Sequence, residues 1–213
     1  HGMARELNRR WYSEVKDEYH LAFLPVEAEE GQQYINWMNL AMDYAFENRE
    51  RMLEKTCETV KELIEKHTGL TVEFGQEINC HHNYASLENH YDENVWVHRK
   101  GATRVREGEM AVIPGAMGSY SYVVEGKGNR ESFCTSSHGA GRCYSRSGAM
   151  KAFSIEQVMV DLKEQDIVLG KRKKNDVAEE CRFAYKDIDQ VMAEQQDMVT
   201  PVRKLRTVGV VKG

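Results

Sequence analysis

The chain has 213 residues, of which 34 are acidic and 29 basic, giving a formal net charge of -5. This balance excludes a domain that binds nucleic acid through bulk positive charge, so local patches would have to make any such contact. The five cysteines include no CxxC pair, which predicts reduced thiols and a cytoplasmic location. Neither a membrane-spanning apolar run nor a secretory signal is found, so no membrane is expected.

The first third of the chain is predicted to be helical. Residues 1–3 are expected to be a tag remnant, with the natural sequence beginning near Ala4. Apolar side chains at helical spacing predict one helix over residues 4–23 and a longer one over residues 32–67. Aromatic side chains on the second helix are predicted to pack in a core rather than to stack on bases. They are Tyr34, Trp37, Tyr44 and Phe46.

From residue 70 the apolar period shortens to two, which predicts strands. Glycine-bearing turns separate the alternating runs, and their short spacing favours a mostly antiparallel sheet. The predicted strands cover residues 70–74, 95–99, 110–114 and 120–124.

The last third of the chain is predicted to mix helices and strands. A capping pattern at Ser154 predicts a helix to about residue 164. A further helix is expected over residues 185–198, ended by Pro201, and a final strand over residues 208–211. The basic run at residues 170–175 fits either a solvated loop or an RNA-phosphate contact. The order of elements predicts an α+β fold, with N-terminal helices and then a mostly antiparallel sheet with flanking helices.

Three loops are rich in small residues, namely residues 98–104, 114–118 and 131–146, and the first and third of them also carry cations. Small residues let a ligand approach the main chain, turn amides bind anions, and arginine forks match phosphate oxygens. His138 in the third loop could attack phosphorus, bind a metal or pass a proton, or the loop could be an ordinary Gly-Ser surface turn. A fold that closed the three loops on one pocket would bind a nucleotide or an RNA end.

The sequence gives only weak support for a histidine metal site and argues against zinc fingers and the common nucleotide-binding loops. His81 and His82 would point to opposite faces of a strand, so one at most could face a pocket as a metal ligand. The absence of paired cysteines with ligand spacing argues against a zinc finger. The sequence also lacks a GxGxxG turn between strand and helix and a GxxxxGK[ST] loop, which excludes the common nucleotide folds that use them.

Seven motifs, in order from residue 79 to residue 213, together resemble the RtcB family of RNA-splicing ligases. They are Asn79-Cys80-His81-His82-Asn83, His98-Arg99-Lys100-Gly101-Ala102-Thr103, Pro114-Gly115-Ala116-Met117-Gly118, Gly128-Asn129-Arg130-Glu131-Ser132-Phe133, Ser137-His138-Gly139-Ala140-Gly141-Arg142 with Ser145-Arg146, Ala184-Tyr185-Lys186-Asp187-Ile188-Asp189 and Val211-Lys212-Gly213. The resemblance implies that residues 4–213 form the C-terminal portion of a single RtcB-like catalytic domain.

The resemblance also implies an activity and its residues. A GTP- and Mn²⁺-dependent ligase would join RNA 3′-phosphate or 2′,3′-cyclic phosphate ends to 5′-hydroxyl ends, in tRNA splicing or RNA repair. His138 would be the nucleophile that takes GMP, His82 a manganese ligand, and an archease-type activator a candidate partner. Nucleotide contacts are implied for Ala116, Ser121, Ala140, Gly141, Tyr185 and Lys212, and phosphate or RNA contacts for Arg99, Lys100, Arg142 and Arg146.

Two departures from the family pattern qualify this expectation. Ala116 stands where the family has serine, which removes a hydroxyl from the loop. The family's other metal-ligand motifs lie upstream and are absent from this chain, so the chain alone is expected to bind Mn²⁺ weakly and not to complete ligation. Two alternatives stay open: a non-catalytic RNA- or nucleotide-binding module, or an enzyme half completed by a second chain.

Overall fold

The structure is a computed structural model, and it describes residues 1–11, 16–170 and 176–211. The chain divides into two compact units, His1–Val72 and Glu73–Gly213. Helices come first and mainly antiparallel strands follow, so the predicted α+β class is confirmed. The basic run at residues 171–175, for which a phosphate contact was one interpretation, lies outside the described residues.

The first unit begins with a helix shorter than predicted. Helix α1, Gly2–Arg10, ends at Trp11 instead of continuing to residue 23. The Asn8 side chain donates to the Phe23 carbonyl (2.6 Å) and accepts from the Phe23 amide (3.0 Å). Because both main-chain groups of Phe23 bind a side chain, this residue does not continue a helical ladder.

Helix α2, Glu29–Thr68, confirms the second helical prediction. It ends at Gly69, which takes the left-handed conformation (φ 70°) and donates its amide to the Glu65 carbonyl, as expected for a glycine C-cap. The prediction of aromatic packing was wrong for Tyr34, Trp37 and Tyr44, whose exposed fractions are 57%, 70% and 73%. Helical spacing aligns these rings, but only a covering element could bury them, and Gly31 is the one buried residue of this helix.

Within its described residues, the second unit holds nine strands arranged in four small sheets. Three sheets are antiparallel: a hairpin, a two-stranded pair that ends next to His138, and a three-stranded sheet. They contain β1 (Asn83–His90) and β2 (Glu93–Lys100); β3 (Ala102–Arg104) and β6 (Thr135–Ser137); and β4 (Met110–Ile113), β5 (Ser121–Gly126) and β8 (Val199–Leu205). The fourth sheet is parallel and pairs β7 (Val168–Gly170) with β9 (Gly209–Val211).

Four strand predictions are confirmed and two other predictions are wrong. Residues 95–99, 110–114, 120–124 and 208–211 fall on β2, β4, β5 and β9, but residues 70–74 form no strand. Pro201 lies inside β8, where it pairs with Val124 beside a register shift. An edge strand tolerates proline because one side of its ladder needs no amide donor.

Three α-helices complete the described part of the second unit. Helix α3, Arg146–Ala152, was not predicted, whereas α4, Ile155–Glu164, was. The Ser154 hydroxyl accepts from the Gln157 amide (3.1 Å), which confirms the capping pattern. Helix α5, Ile188–Glu194, is shorter than predicted at both ends and begins after Asp187, whose carboxylate accepts from the Asp189 amide.

Two apolar clusters form the core of the second unit. The first joins the three-stranded sheet to α5; it contains Val105, Ala111, Ile113, Tyr122, Val124, Ala140, Ile188, Met192 and Val199. The second lies among α3, α4 and the segment from Val177 to Ala184. Tyr185 packs against both clusters, so the chain around it is fixed from two sides. None of the helices in the described ranges is long and apolar enough to cross a membrane.

Candidate functional site

The imidazole rings of His82 and His138 pack edge to face, with centroids 4.8 Å apart and planes at 84°. The Gly101 main chain connects them: its amide donates to the His82 carbonyl (3.0 Å), and its carbonyl accepts from the His138 amide (3.3 Å). Two histidines from distant motifs therefore meet at the turn between β2 and β3.

Gly101 lies against the His138 ring. It has φ +67°, which favours glycine, and a Cβ at this position would be in ordinary van der Waals contact with His138 Nε2, at 3.7 Å. Its amide also donates to Asn83 Oδ1 (3.2 Å), which ties the turn to the start of β1. His81 takes a different direction from His82, because its ring packs 5.8 Å from that of Tyr84. One histidine of the pair thus faces His138, as predicted, although both precede the strand instead of lying in it.

The loop at residues 114–118 joins the same site. A Cβ at Gly139 would lie 3.1 Å from the Pro114 carbonyl oxygen, so the loop contacts the residue next to His138. The Gly115 amide donates to the Ser121 hydroxyl (3.2 Å), and any larger residue at Gly115 would collide with the Tyr120 carbonyl. All three of the small-residue loops singled out from the sequence therefore converge.

Ala116 and Ala140 lie in this junction but are enclosed, with exposed fractions of 9% and 5%. Their side chains contribute to the core, so contact with a ligand would have to come through the main chain. Gly141 is more accessible and takes φ +75°. Its carbonyl accepts from the Lys186 amide (2.9 Å), which brings the Tyr185 segment to the His138 loop.

Tyr185 and Arg142 form a stacked pair. The Arg142 guanidinium lies 4.7 Å from the ring centroid and donates to the Tyr185 hydroxyl (2.7 Å). The same hydroxyl hydrogen-bonds to Glu180. Burial raises the pKa of Tyr185, and the hydrogen bond to the Glu180 carboxylate adds to that rise. The phenol is therefore neutral near pH 7 and can act as a donor.

Tyr185 also lines an open cavity of about 750 Å³ that Arg142 does not line. Its other walls come from the loop at Gly118 to Tyr120, the turn at Glu164 to Ile167, and the strand end at Arg206 and Thr207. The volume falls within the usual range for small-ligand sites. The aromatic ring and several charged side chains give this cavity both stacking and polar groups.

Arg99, for which a phosphate or RNA contact was implied, is enclosed by protein. Its side chain is fully buried, and its guanidinium makes two hydrogen bonds to Glu88 (2.5 and 3.1 Å). It also donates to Thr135 Oγ1 (2.9 Å) and to the Phe133 carbonyl (3.0 Å). The predicted phosphate contact does not fit this arrangement, because the charge is already neutralised and enclosed.

The other predicted cations differ in accessibility. Lys100 is exposed at the end of β2, next to the Gly101 turn. Arg146 is 73% exposed at the start of α3, with its Nε 3.9 Å from Glu180 Oε1. Lys212 lies outside the described residues. Two cations can therefore reach a ligand without any rearrangement of the core.

The described residues do not make a complete metal site. Within residues 1–11, 16–170 and 176–211, no group of three or more His, Cys, Asp or Glu side chains is placed to hold a metal ion. His82 could provide one ligand, but a borderline cation such as Mn²⁺ needs further N or O donors.

Sequence reasoning missed three residues that shape the site. Asn83 binds the Gly101 turn, Glu88 neutralises Arg99, and Glu180 binds both Tyr185 and Arg142. Asn83 carried a signal, since it lies within the first of the seven motifs. The two glutamates carried none, because surface and buried carboxylates look alike in a sequence.

Comparison with known proteins agrees with the motifs. The family model described as tRNA-splicing ligase RtcB matches residues 2–213. The chain is 40% identical over 194 residues to the RNA-splicing ligase RtcB of Escherichia coli strain K12, covering 91% of this chain and 47% of the relative. It is 35% identical over 214 residues to the tRNA-splicing ligase RtcB of Methanococcus maripaludis, covering 91% and 44%. The chain thus spans about half the length of these relatives, and it belongs to the tRNA-splicing ligase RtcB family.

Proposed function

We propose that this chain carries the nucleotide-accepting centre of an RNA ligase. The ligase uses GTP and Mn²⁺ to join RNA 3′-phosphate or 2′,3′-cyclic phosphate ends to 5′-hydroxyl ends, in splicing or repair. The observation that carries the proposal is the contact between His82 and His138 where three small-residue loops converge. Family membership supplies the class of reaction, and the site supplies a nucleophile in a suitable setting.

His138 is the proposed nucleophile. A neutral imidazole nitrogen attacks the α-phosphorus of GTP, so that a P–N bond forms as the bond to pyrophosphate breaks. A 2′,3′-cyclic phosphate end is first opened by water to a 3′-phosphate. The RNA 3′-phosphate then takes the GMP group, as the P–N bond to His138 breaks. The 5′-hydroxyl attacks that activated phosphate, a phosphodiester forms, and GMP leaves. The covalent intermediate on His138 therefore splits one difficult reaction into a series of easier displacements.

The proposed nucleotide contacts follow the geometry of the loops. The proposed contacts are Ser121, whose hydroxyl accepts from the Gly115 amide, and the main chain at Ala116, Ala140 and Gly141, where small side chains would let a phosphate approach the amides. Tyr185 offers an aromatic face for guanine in the cavity that it lines. Lys212 remains part of the proposal on the resemblance alone.

Exposed cations are the proposed phosphate contacts. Lys100 and Arg146 are accessible, and Arg142 is partly accessible beside Tyr185. Arginine forks pair with phosphate oxygens in bidentate fashion, which favours Arg142 and Arg146 for the triphosphate or the RNA end. Arg99 is left out because its guanidinium is enclosed by protein.

His82 is proposed to contribute one Mn²⁺ ligand. The other ligands would come from residues beyond this chain, in agreement with the chain's coverage of about half of its relatives. We therefore propose that the 213-residue chain alone binds Mn²⁺ weakly and does not complete ligation. A cytoplasmic location and an archease-type activator also remain proposals.

The nucleophile is tested by substituting His138. The test protein joins this chain, in one polypeptide, to the part of the relatives' length that it does not span; we call it the completed protein. With Mn²⁺ and GTP labelled at the α-phosphate, we expect acid-labile label on the completed protein and none on His138→Ala. His67→Ala, an exposed histidine near the end of α2, is the matched control and should label normally.

Two results would contradict the proposal. Label retained on His138→Ala would remove His138 from its role. Binding of GTP and RNA without any covalent label on the completed protein would favour the non-catalytic binding module instead.

A further inference from the structure

Gln195 is a buried polar residue that reaches the candidate nucleophile loop. It directly follows α5 and is only 5% exposed. Its Oε1 accepts two hydrogen bonds from Ser137, one from the amide and one from the hydroxyl, each 3.1 Å long. Its Nε2 donates to Met192 Sδ at 3.3 Å, which fixes the orientation of the carboxamide.

Ser137 is the residue immediately before His138 and the last residue of β6. Within β6 it pairs with Ala102 of β3, and the next amide, that of His138, donates to the Gly101 carbonyl (3.3 Å). The main chain just before His138 is therefore held on one side by β3 and Gly101 and on the other side by the Gln195 side chain. A one-residue shift of this chain would also displace the His138 ring from His82.

The side chain of Gln195 has a role separate from that of its main chain. The Gln195 carbonyl accepts from the amides of Met198 and Val199, which closes the turn into β8. Those bonds do not depend on the side chain. The carboxamide instead spans from α5 to the His138 loop, and the polar atoms it meets there belong to Ser137.

We infer that Gln195 is a positioning residue: its Oε1 fixes the main chain at Ser137 and so sets the place of the His138 imidazole relative to His82. The inference rests on the proposed function, in which His138 receives GMP. An acceptor oxygen at this position is the essential feature, because both bonds from Ser137 are donated to it. Small errors in the position of a reacting group can slow a reaction about 100-fold.

The kinetic test compares two substitutions of Gln195 with one of Gln190 in the completed protein. Gln195→Met keeps the length but removes the acceptor, and we expect GMP transfer to His138 to slow by about 10- to 100-fold in a single turnover. Gln195→Glu keeps an acceptor oxygen and should restore the rate to within about 3-fold of wild type, a difference smaller than one hydrogen bond. Gln190→Met is the matched control, since Gln190 is exposed on the same helix and bonds Glu194.

The structural test needs no GTP. In the 213-residue chain with isotope-labelled histidines, NMR should detect the short ring-to-ring contact between His138 and His82. We expect this cross-peak to weaken and the His138 ring signals to shift in Gln195→Met, but not in Gln190→Met. Ser137→Ala, which loses the hydroxyl and keeps the amide, should give a smaller change and serves if Gln195→Met does not fold.

The outcomes separate the two proposals. A wild-type completed protein that takes no GMP overturns the proposed function, while the NMR contact still tests the positioning role. Gln195→Met with an unchanged transfer rate and an unchanged cross-peak overturns the positioning role and leaves His138 as the nucleophile.

Discussion

Two arginine–glutamate clusters flank the His138 loop, and they differ in access to solvent. The Glu88 cluster comprises Ser86, Glu88, His90 and Arg99, and the side chains of Arg99 and Glu88 are 0% and 4% exposed. The Glu180 cluster comprises Arg142, Arg146, Glu180 and Tyr185, and its arginine side chains are 25% and 73% exposed. Arginines that look equivalent in the motifs thus occupy opposite environments.

This difference in access to solvent separates the structural role of Arg99 from the binding role proposed for Arg142 and Arg146. In the Glu88 cluster the guanidinium of Arg99 neutralises a buried carboxylate and also binds the chain at Phe133 and Thr135, which leads to His138. Removing either charge would leave the other buried without its partner. In the Glu180 cluster, water still reaches the charges, so a ligand phosphate can compete for the arginines at modest cost.

Arg99→Met should have the largest effect. It leaves the Glu88 carboxylate buried without its main partner, and loss of one member of a buried ion pair costs about 3–5 kcal/mol of unfolding free energy. Urea denaturation of the 213-residue chain measures this. The double variant Glu88→Gln/Arg99→Met should recover part of the loss, because no buried charge remains. A loss below about 1 kcal/mol would show that the pair behaves like a surface one.

Titration of Glu88 should produce the next largest effect. Burial opposes its ionisation, but hydrogen bonds from Arg99, Ser86 and His90 outweigh burial and lower its pKa from 4.5 to about 2. A carboxyl with a lowered folded pKa stabilises the protein above the unfolded pKa and loses that contribution as pH falls. The loss should be roughly 3 kcal/mol between pH 4.5 and about 2.

The measurement is urea denaturation of wild type and Glu88→Gln at a series of pH values. The difference in unfolding free energy between the two proteins should shrink as pH falls through that window, because glutamine does not titrate there. A difference that is constant from pH 5 to pH 2 would contradict the lowered pKa of Glu88.

Substitutions in the Glu180 cluster should have the smallest effect on stability. Arg142→Met removes a stacking contact with Tyr185 and its hydrogen bonds, and should cost about 1–2 kcal/mol. Arg146→Met should cost less than about 0.5 kcal/mol because the side chain is exposed. Both should weaken GTP binding to the completed protein, by about 10-fold or more if each loses a charged contact to phosphate.

A binding titration with GTP checks the second half of this prediction. Lys151→Met, which changes another cation on α3, is the comparison for Arg146→Met and should leave GTP binding unchanged. If Arg146→Met binds GTP as wild type does, the exposed arginine of the Glu180 cluster has no nucleotide role.

Local chemistry in the sequence was enough for several elements. The long helix from Glu29 to Thr68 follows from helical periodicity and ends where Gly69 can take a positive φ. Helix α4 begins where the Ser154 hydroxyl can cap it. These features depend on residues within a few positions of each other, so spacing alone predicts them.

The motifs around His82 and His138 also indicated the family, because they combine small residues and particular side chains in a fixed order. Burial was less predictable. Trp37 and Tyr44 are aromatic but exposed, and Arg99 is charged but buried. Residue type gives only a tendency for burial, while the elements packed on each side decide it.

The sequence by itself therefore determined the fold class, helices α2 and α4, and the set of motifs that meet at His138. Only the tertiary structure decided that Arg99 is buried in an ion pair with Glu88 and that the Gln195 side chain binds Ser137. Gln195 lies 58 positions from Ser137 along the chain, and its hydrogen bonds exist only because α5 packs beside β6. Contacts of this kind depend on chain closure over long distances, which no local pattern of residues records.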